Sequence, residues 1–255
     1  MMLIDTHCHL NLPEFANPTA AIQEARDVGV TRMIVIGIDI PSSQKALEIA
    51  LANEGVYAVV GVHPNSAANY SKSDVVALEE MLKNPKAVAI GEIGLDYHWD
   101  HATPEQQRVA LFDQLDLAEA VGKPVVFHCR EAYPDLLSLL EERTRLKWLF
   151  HCFAGDMEDA KRAVQLDGWF GVDGPITYPK ANDLREVIRS LPRERIVIET
   201  DSPYLTPVPF RGKPNRPAYV RYVNSGLASC LGMDVEECAR LTTANAVQFF
   251  DLGEK

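Results

Sequence analysis

Leu3-Ile4-Asp5-Thr6-His7-Cys8-His9 is the stretch that decides the fold. The apolar run Leu3–Thr6 reads as a buried strand, and a segment with helical spacing follows near Thr19–Val28. Doubly wound open sheets and closed barrels both begin this way. An open sheet that binds a dinucleotide carries a Gly-rich GxGxxG turn after its first strand, whereas this chain has Thr6-His7-Cys8-His9. Imidazoles in place of glycines point to a barrel, which gathers its chemistry at the carboxyl ends of its strands.

The same unit recurs along the chain. Further strands are expected at Arg32–Ile36, Tyr57–Gly61, Ala87–Gly91, Pro124–His128, Trp148–His151, Trp169–Val172 and Ile196–Thr200. Helices are expected near Ser43–Asn53, Ser73–Leu82, Asp135–Arg143, Met157–Leu166 and Leu184–Ser190, with two more, Ala218–Leu231 and Asp234–Phe250, after the last strand. The clearest helix begins at Thr103-Pro104-Glu105-Gln106, an N-cap, a proline at the first helical position and a Gln that completes a capping box. Leu111, Phe112, Leu115 and Ala118 fall on one face of it, and Gly122 ends it. Eight strands alternating with helices predict an α/β protein, a (β/α)8 TIM barrel with extra C-terminal helices, residues 1–255 forming a single unit.

Composition agrees with that class. The chain has 255 residues, 47% hydrophobic and 24% charged, enough apolar content to exclude disorder. No apolar run approaches the ~18 residues of a membrane span, and Met1–Asp5 lacks the basic and apolar segments of a secretory signal. Five cysteines without CxxC spacing suggest reduced thiols and a cytoplasmic setting, with a monomer as the default for this size. A net charge of -11 argues against indiscriminate adhesion to nucleic acid or anionic membrane.

Ligand-type residues cluster at strand ends. His7 and His9 close the first strand, Glu92 follows the fourth, His128 ends the fifth, His151 the sixth, and Asp201 follows the eighth. Residues two apart on a strand share a face, so His7 and His9 can both face the axis. Cys8, Cys129 and Cys152, each beside one of these histidines, then read as small residues packed between sheet and helix. A lone histidine on an apolar strand is commonly a hydrogen-bonded core residue, but six ligand-type groups at one barrel mouth would be costly to bury without a counter-ion. Neutral imidazoles and carboxylates suit Zn²⁺, and carboxylates suit Mg²⁺ and Mn²⁺. Six ligands exceed the need of one ion and suit two, with Glu92 as the bridge.

These residues match a known pattern. Asp5-Thr6-His7-Cys8-His9, Gly61-Val62-His63-Pro64, Gly91-Glu92-Ile93-Gly94-Leu95-Asp96, His151-Cys152-Phe153 and Glu199-Thr200-Asp201-Ser202-Pro203-Tyr204 resemble the TatD-related DNases of the metal-dependent amidohydrolase superfamily. The resemblance runs from residue 3 to about 250. It implies a TIM barrel with divalent metals that hydrolyses DNA phosphodiesters, a 3′-to-5′ exodeoxyribonuclease acting on single-stranded ends. It assigns His7, His9, Glu92, His128, His151 and Asp201 as metal ligands. The late loop departs from many members, carrying Arg216 where they have an acidic residue or Gln.

The expected reaction uses a hydroxide bridging two divalent ions, one held by His7, His9, Glu92 and Asp201, the other by Glu92, His128 and His151. Glu92 and Asp201 are the catalytic candidates, Asp201 orienting the nucleophile and accepting its proton. Substrate contacts are assigned to His63, Asp96, Arg130, Tyr204, Arg211, Lys213 and Arg216, and Tyr97, Trp99 and Phe210 could stack on bases. Asp5 and Glu199 read as acids beneath the ligands. Two alternatives share these residues. One is an amide, lactone or ester hydrolase, aminoacyl-tRNA deacylase included; the other is a non-enzyme that keeps a structural metal.

Overall fold

In the computed structural model, which describes residues 2–143 and 146–253, every expected strand forms. They are β1 (Leu3–Cys8), β2 (Val30–Ile36), β3 (Val56–Val60), β4 (Ala87–Asp96), β5 (Val125–Arg130), β6 (Trp148–Phe150), β7 (Trp169–Val172) and β8 (Ile196–Ile198). They pair in parallel, in the order of the sequence, as the barrel requires. Between and after them lie α1 (Pro18–Asp27), α2 (Ile40–Ala52), α3 (Lys72–Leu82), α4 (Pro104–Val121), α5 (Tyr133–Leu140), α6 (Met157–Gln165), α7 (Asn182–Ser190), α8 (Val220–Leu231) and α9 (Val235–Phe250). None of the described helices is long and apolar enough to cross a membrane. The expected unit, 1–255, extends past the described residues at both ends.

The sheet becomes a nearly closed ring at one seam. Asp201 N donates to the His7 carbonyl at 2.9 Å and His9 N to the Ser202 carbonyl at 2.8 Å, while Cys8 and Ser202 form a parallel bridge. The buried Asp5 carboxylate accepts from Thr200 N at 2.9 Å and Thr200 Oγ1 at 2.7 Å, and Thr6 Oγ1 donates to the Ile198 carbonyl at 3.1 Å. The expectation for Asp5, an acid beneath the ligands, therefore acquires a specific partner. It joins β1 to the segment after β8.

Two apolar clusters divide the strands by face. One lies between sheet and helices. The other takes a residue from each of the eight strands (Ile4, Ile34, Val59, Val88, Val126, Leu149, Trp169 and Val197) and is met by Phe249 and Phe250 of α9. Residues from all eight strands can meet only inside the ring, so α9 plugs its amino end. Arg32, Lys147 and Thr243 tie that plug to the barrel through the backbone of residues 252–253, 248 and 2. Each fully buried ring or branched side chain there contributes about 1.5–3 kcal/mol.

β4 runs five residues beyond its expected end at Gly91. Its register against β5 shifts between Ile90 and Ile93, and the Gly91–Glu92 peptide is cis. Glu92 and Asp96 therefore lie within a strand and not in the loop expected for them. Gly94 shows why the sequence allows this extension: its φ is +143°, and a Cβ there would overlap the His128 carbonyl oxygen.

α4 holds this extension in place. Its capping box forms as expected, with Thr103 N donating to Gln106 Oε1 at 2.9 Å, and Gly122 ends it in the left-handed region. Two buried glutamines, seven residues apart on one face, reach the loop backbones. Gln107 Oε1 accepts from Asp96 N at 2.8 Å, and its Nε2 donates to the Asp96 and Ala102 carbonyls at 2.8 and 3.1 Å. Gln114 Oε1 accepts from Val62 N at 2.7 Å, and its Nε2 donates to Val62 O at 3.1 Å. Gln107→Leu would leave these buried backbone groups of Asp96 and Ala102 unpaired. It should cost about 2–4 kcal/mol, read as a lowered urea midpoint with unchanged slope.

Candidate metal centre

All six expected ligand residues meet at the carboxyl mouth of the barrel. His7 Nε2 and His9 Nε2 are 3.3 Å apart. Glu92 Oε2 lies 3.4 Å from the former and 3.9 Å from the latter, and Asp201 Oδ1 lies 3.7 and 3.3 Å from the same two atoms. The other Glu92 oxygen, Oε1, is 2.8 Å from both His128 Nδ1 and His151 Nε2. The rings of His7 and His151 stack at 3.9 Å. Local backbone supports this convergence: Asp201 has φ +53°, which an aspartate tolerates better than a branched residue.

The ring nitrogens turned away from the centre decide which way each lone pair points. His9 Nδ1 lies 3.3 Å from the Ile36 carbonyl, an acceptor, so Nδ1 carries the proton and Nε2 is bare. His128 faces a carboxylate on each side, Asp96 Oδ2 at 3.0 Å from Nε2 and Glu92 Oε1 at 2.8 Å from Nδ1, so with its single proton on Nε2 the neutral ring would turn a bare Nδ1 towards Glu92. His151 Nδ1 is 3.3 Å from Glu199 Oε1, close enough for an ion pair though not aligned as a hydrogen bond. His63 is the reverse. Its Nδ1 accepts from Asn65 N at 3.0 Å, so the neutral ring carries its proton on Nε2, 3.6 Å from Glu92 Oε1. His63 thus reaches the cluster as a hydrogen-bond donor.

Electrostatics match this arrangement. Burial alone would raise Glu92, but His151, His7, His63 and His128 hold it well below the usual carboxylate range. His151 is opposed by burial yet raised well above an ordinary imidazole by Glu92 and Glu199. Burial and His128 lower His63 to about 3, keeping it neutral. A buried set of imidazole nitrogens and carboxylate oxygens this close fits divalent cations. Two such groups, His7/His9/Asp201 and His7/Glu92/His151, each place their ligand atoms within 4.8 Å of one another; His63/Glu92/His128 is as close, but there His63 presents a proton and not a lone pair.

The remaining expected residues scatter. Asp96 is buried, and its carboxylate is fully engaged: Oδ1 accepts from His98 N and Trp99 N, and Oδ2 faces His128 and Asn65. It positions a ligand and a loop. Arg130 is exposed, its guanidinium 5.7 Å from the Trp99 ring, and Tyr204 meets His9 edge-on at 6.2 Å. Arg211 lies over Tyr178 at 4.1 Å, Lys213 is exposed, and Arg216 pairs with Glu24 at 3.0 Å. Tyr97 donates to Asp135, and Phe210 stacks on Tyr219, so both rings serve packing. Cys8 and Cys129 are buried as expected, but Cys152 is only half-buried, because β6 ends at Phe150 and the strand alternation stops before it.

Sequence reasoning missed three contributors. Asn215 Nδ2 donates to the Thr200 and Tyr204 carbonyls, both at 2.7 Å, and pins the late loop to the end of β8. Gln107 and Gln114 do the same for the loops after β4 and β3. A polar residue at a helix position that should face the core was their only signal. A cleft of about 1320 Å³ lies at the opposite end of the barrel between Arg32, Tyr57 and Gln248 and holds none of these groups.

Metal uptake should release protons. The carboxylates facing His151, His9 and His128 raise all three against the pull of burial, so a proton on each competes with a cation for the same nitrogens. Affinity should therefore fall as pH is lowered. Calorimetry at pH 7 in buffers of different ionisation enthalpy should show roughly one or more protons released per chain.

Known proteins place this chain. A profile of TatD related DNases matches residues 4–251. The chain is 37% identical to the Bacillus subtilis uncharacterized metal-dependent hydrolase YabD, over 98% of this chain and 99% of that one. It is 32% identical to the 3′-5′ ssDNA/RNA exonuclease TatD of Klebsiella pneumoniae, over 91% and 90%. The crystal structure of YjjV, a TatD homologue from Escherichia coli, superposes with a TM-score of 0.93 at 33% identity, covering 98% of both chains. With the strand order, the mouth residues and these likenesses in agreement, the chain belongs to the TatD related DNase family.

Proposed function

We propose that this metal-dependent hydrolase is a phosphodiesterase that removes nucleotides from the 3′ end of single-stranded DNA, using two divalent ions. The observation that carries the reading is the division of Glu92: Oε2 faces His7 and His9, while Oε1 faces His128 and His151. One carboxylate can thus serve two ions at once. His7, His9, Asp201 and Glu92 Oε2 would hold one, and His128, His151 and Glu92 Oε1 the other. Bound there, Mg²⁺, Mn²⁺ or Zn²⁺ would acidify a water and neutralise phosphoryl charge.

The chain's own groups supply the rest. Burial would raise Asp201, but His9, His151 and His7 hold it below the usual range, so it is ionised at neutral pH and can accept a proton at Oδ1. His63 Nε2–H donates to a phosphoryl oxygen, and its fixed tautomer needs no rearrangement as charge develops. Arg130, exposed at the end of β5, would meet a neighbouring phosphate. The name of the Klebsiella relative supports nucleic acid as the substrate class.

Labelled single-stranded DNA incubated with metal-loaded protein should be shortened stepwise from its 3′ end. Chelator should abolish the reaction, and Asp201→Asn should lower kcat by about 10²-fold or more. Turnover of an ester or lactone with no DNA cleavage under Mg²⁺, Mn²⁺ or Zn²⁺ would sink the nuclease reading. Elemental analysis after desalting should find about two ions per wild-type chain and fewer than one for Glu92→Ala.

A further inference from the structure

Two aromatic side chains among the described residues stay about half exposed, Trp99 at 48% and Tyr204 at 51%. Both stand on loops at the metal-centre end of the barrel, Trp99 just after β4 and Tyr204 after β8. In a ring of eight strands ordered by sequence, β4 and β8 lie across from one another. The ligand cluster sits between them.

Neither ring is on a loose loop. Trp99 N donates to Asp96 Oδ1 at 3.3 Å, and the other oxygen of that carboxylate meets His128. Tyr204 N donates to the Asp201 carbonyl at 2.8 Å, and its own carbonyl accepts from Asn215. Each ring is thus anchored through its backbone to a metal-type ligand or to that ligand's direct partner. Trp99 meets His98 edge-on at 4.7 Å and His101 in a stacked pair at 5.9 Å, and Tyr204 meets His9, yet both rings stay more exposed than Phe210 or Tyr97. Arg130 lies beside one of them, as a backbone phosphate would require.

We propose that Trp99 and Tyr204 are stacking platforms for the two nucleobases that flank the scissile phosphodiester. The proposal rests on the phosphodiesterase reading above and deepens it. Aromatic stacking accepts every base, so it would admit a strand by whether its last bases are unpaired and not by their identity. A duplex end, whose bases are already paired and stacked, would first have to open.

The test uses metal-loaded protein and oligo(dT), with each of the two terminal nucleotides made abasic in turn. Trp99→Ala and Tyr204→Ala should each raise KM roughly ten-fold on intact DNA, and Phe at either position should restore most of it. Each alanine penalty should vanish when one particular nucleotide is abasic, a different nucleotide for each ring. Trp148 and Trp169 are 1% and 8% exposed, so quenching of tryptophan emission reports Trp99. An oligo(dT) with uncleavable methylenephosphonate linkages should quench it, and its abasic counterpart should not. Penalties that persist on abasic DNA, or equal quenching by both oligonucleotides, would overturn the platforms. Base-dependent quenching without cleavage of natural DNA would instead keep the platforms and reject the nuclease reading.

Discussion

Closing a ring of parallel strands requires the first strand to find the last, and here that seam is only a few hydrogen bonds wide. Asp5, Thr6 and the backbones of His7 and His9 meet residues 198–202. The residues that close the ring are next to, or are themselves, residues that form half the candidate metal centre. Closure and ligand placement are one event. A barrel open at this seam would hold His7 and His9 apart from Asp201, and a chain that brings those three together has already closed.

The second constraint is electrostatic. Glu92 is buried among imidazoles, and its charge is stabilised by them in the absence of any cation. The back of the site then sorts those rings by tautomer. Carbonyl and carboxylate acceptors behind His9 and His128 free a lone pair for a metal, whereas an amide N–H behind His63 does the opposite. Rings of identical chemistry thus take different parts because of one atom on the far side of each.

Most of the architecture was legible in the sequence because apolar β-branched runs and capping residues are local signals. Among the described residues, eight strands and nine α-helices lie where those signals place them, to within a few residues. The convergence of the six candidate ligand residues was legible for the same reason, since each stands at or just after the end of an apolar run. What could not be read is what depends on distant backbone. The extension of β4 to Asp96 follows from how closely the His128 carbonyl approaches Gly94. Gln107, Gln114 and Asn215 act on backbone groups that no spacing rule locates. Arg216 looked like a phosphate contact, but Glu24, almost two hundred residues away in sequence, meets its charge. Phe210 and Tyr97 looked as available as Trp99 until the structure showed them partly buried and Trp99 about half exposed.

The plug of the barrel has a consequence for the birth of the molecule. The interior is completed by Phe249 and Phe250 of α9, which follows all eight strands, and the seam joins residue 5 to residue 200. On a ribosome, the early strands emerge with neither their ring partner nor the stopper of their core. Helices beside them can form locally, but the interior cannot dry until α9 has been made and released from the exit tunnel. An element translated after all eight strands thus decides when the first of them are safe from aggregation.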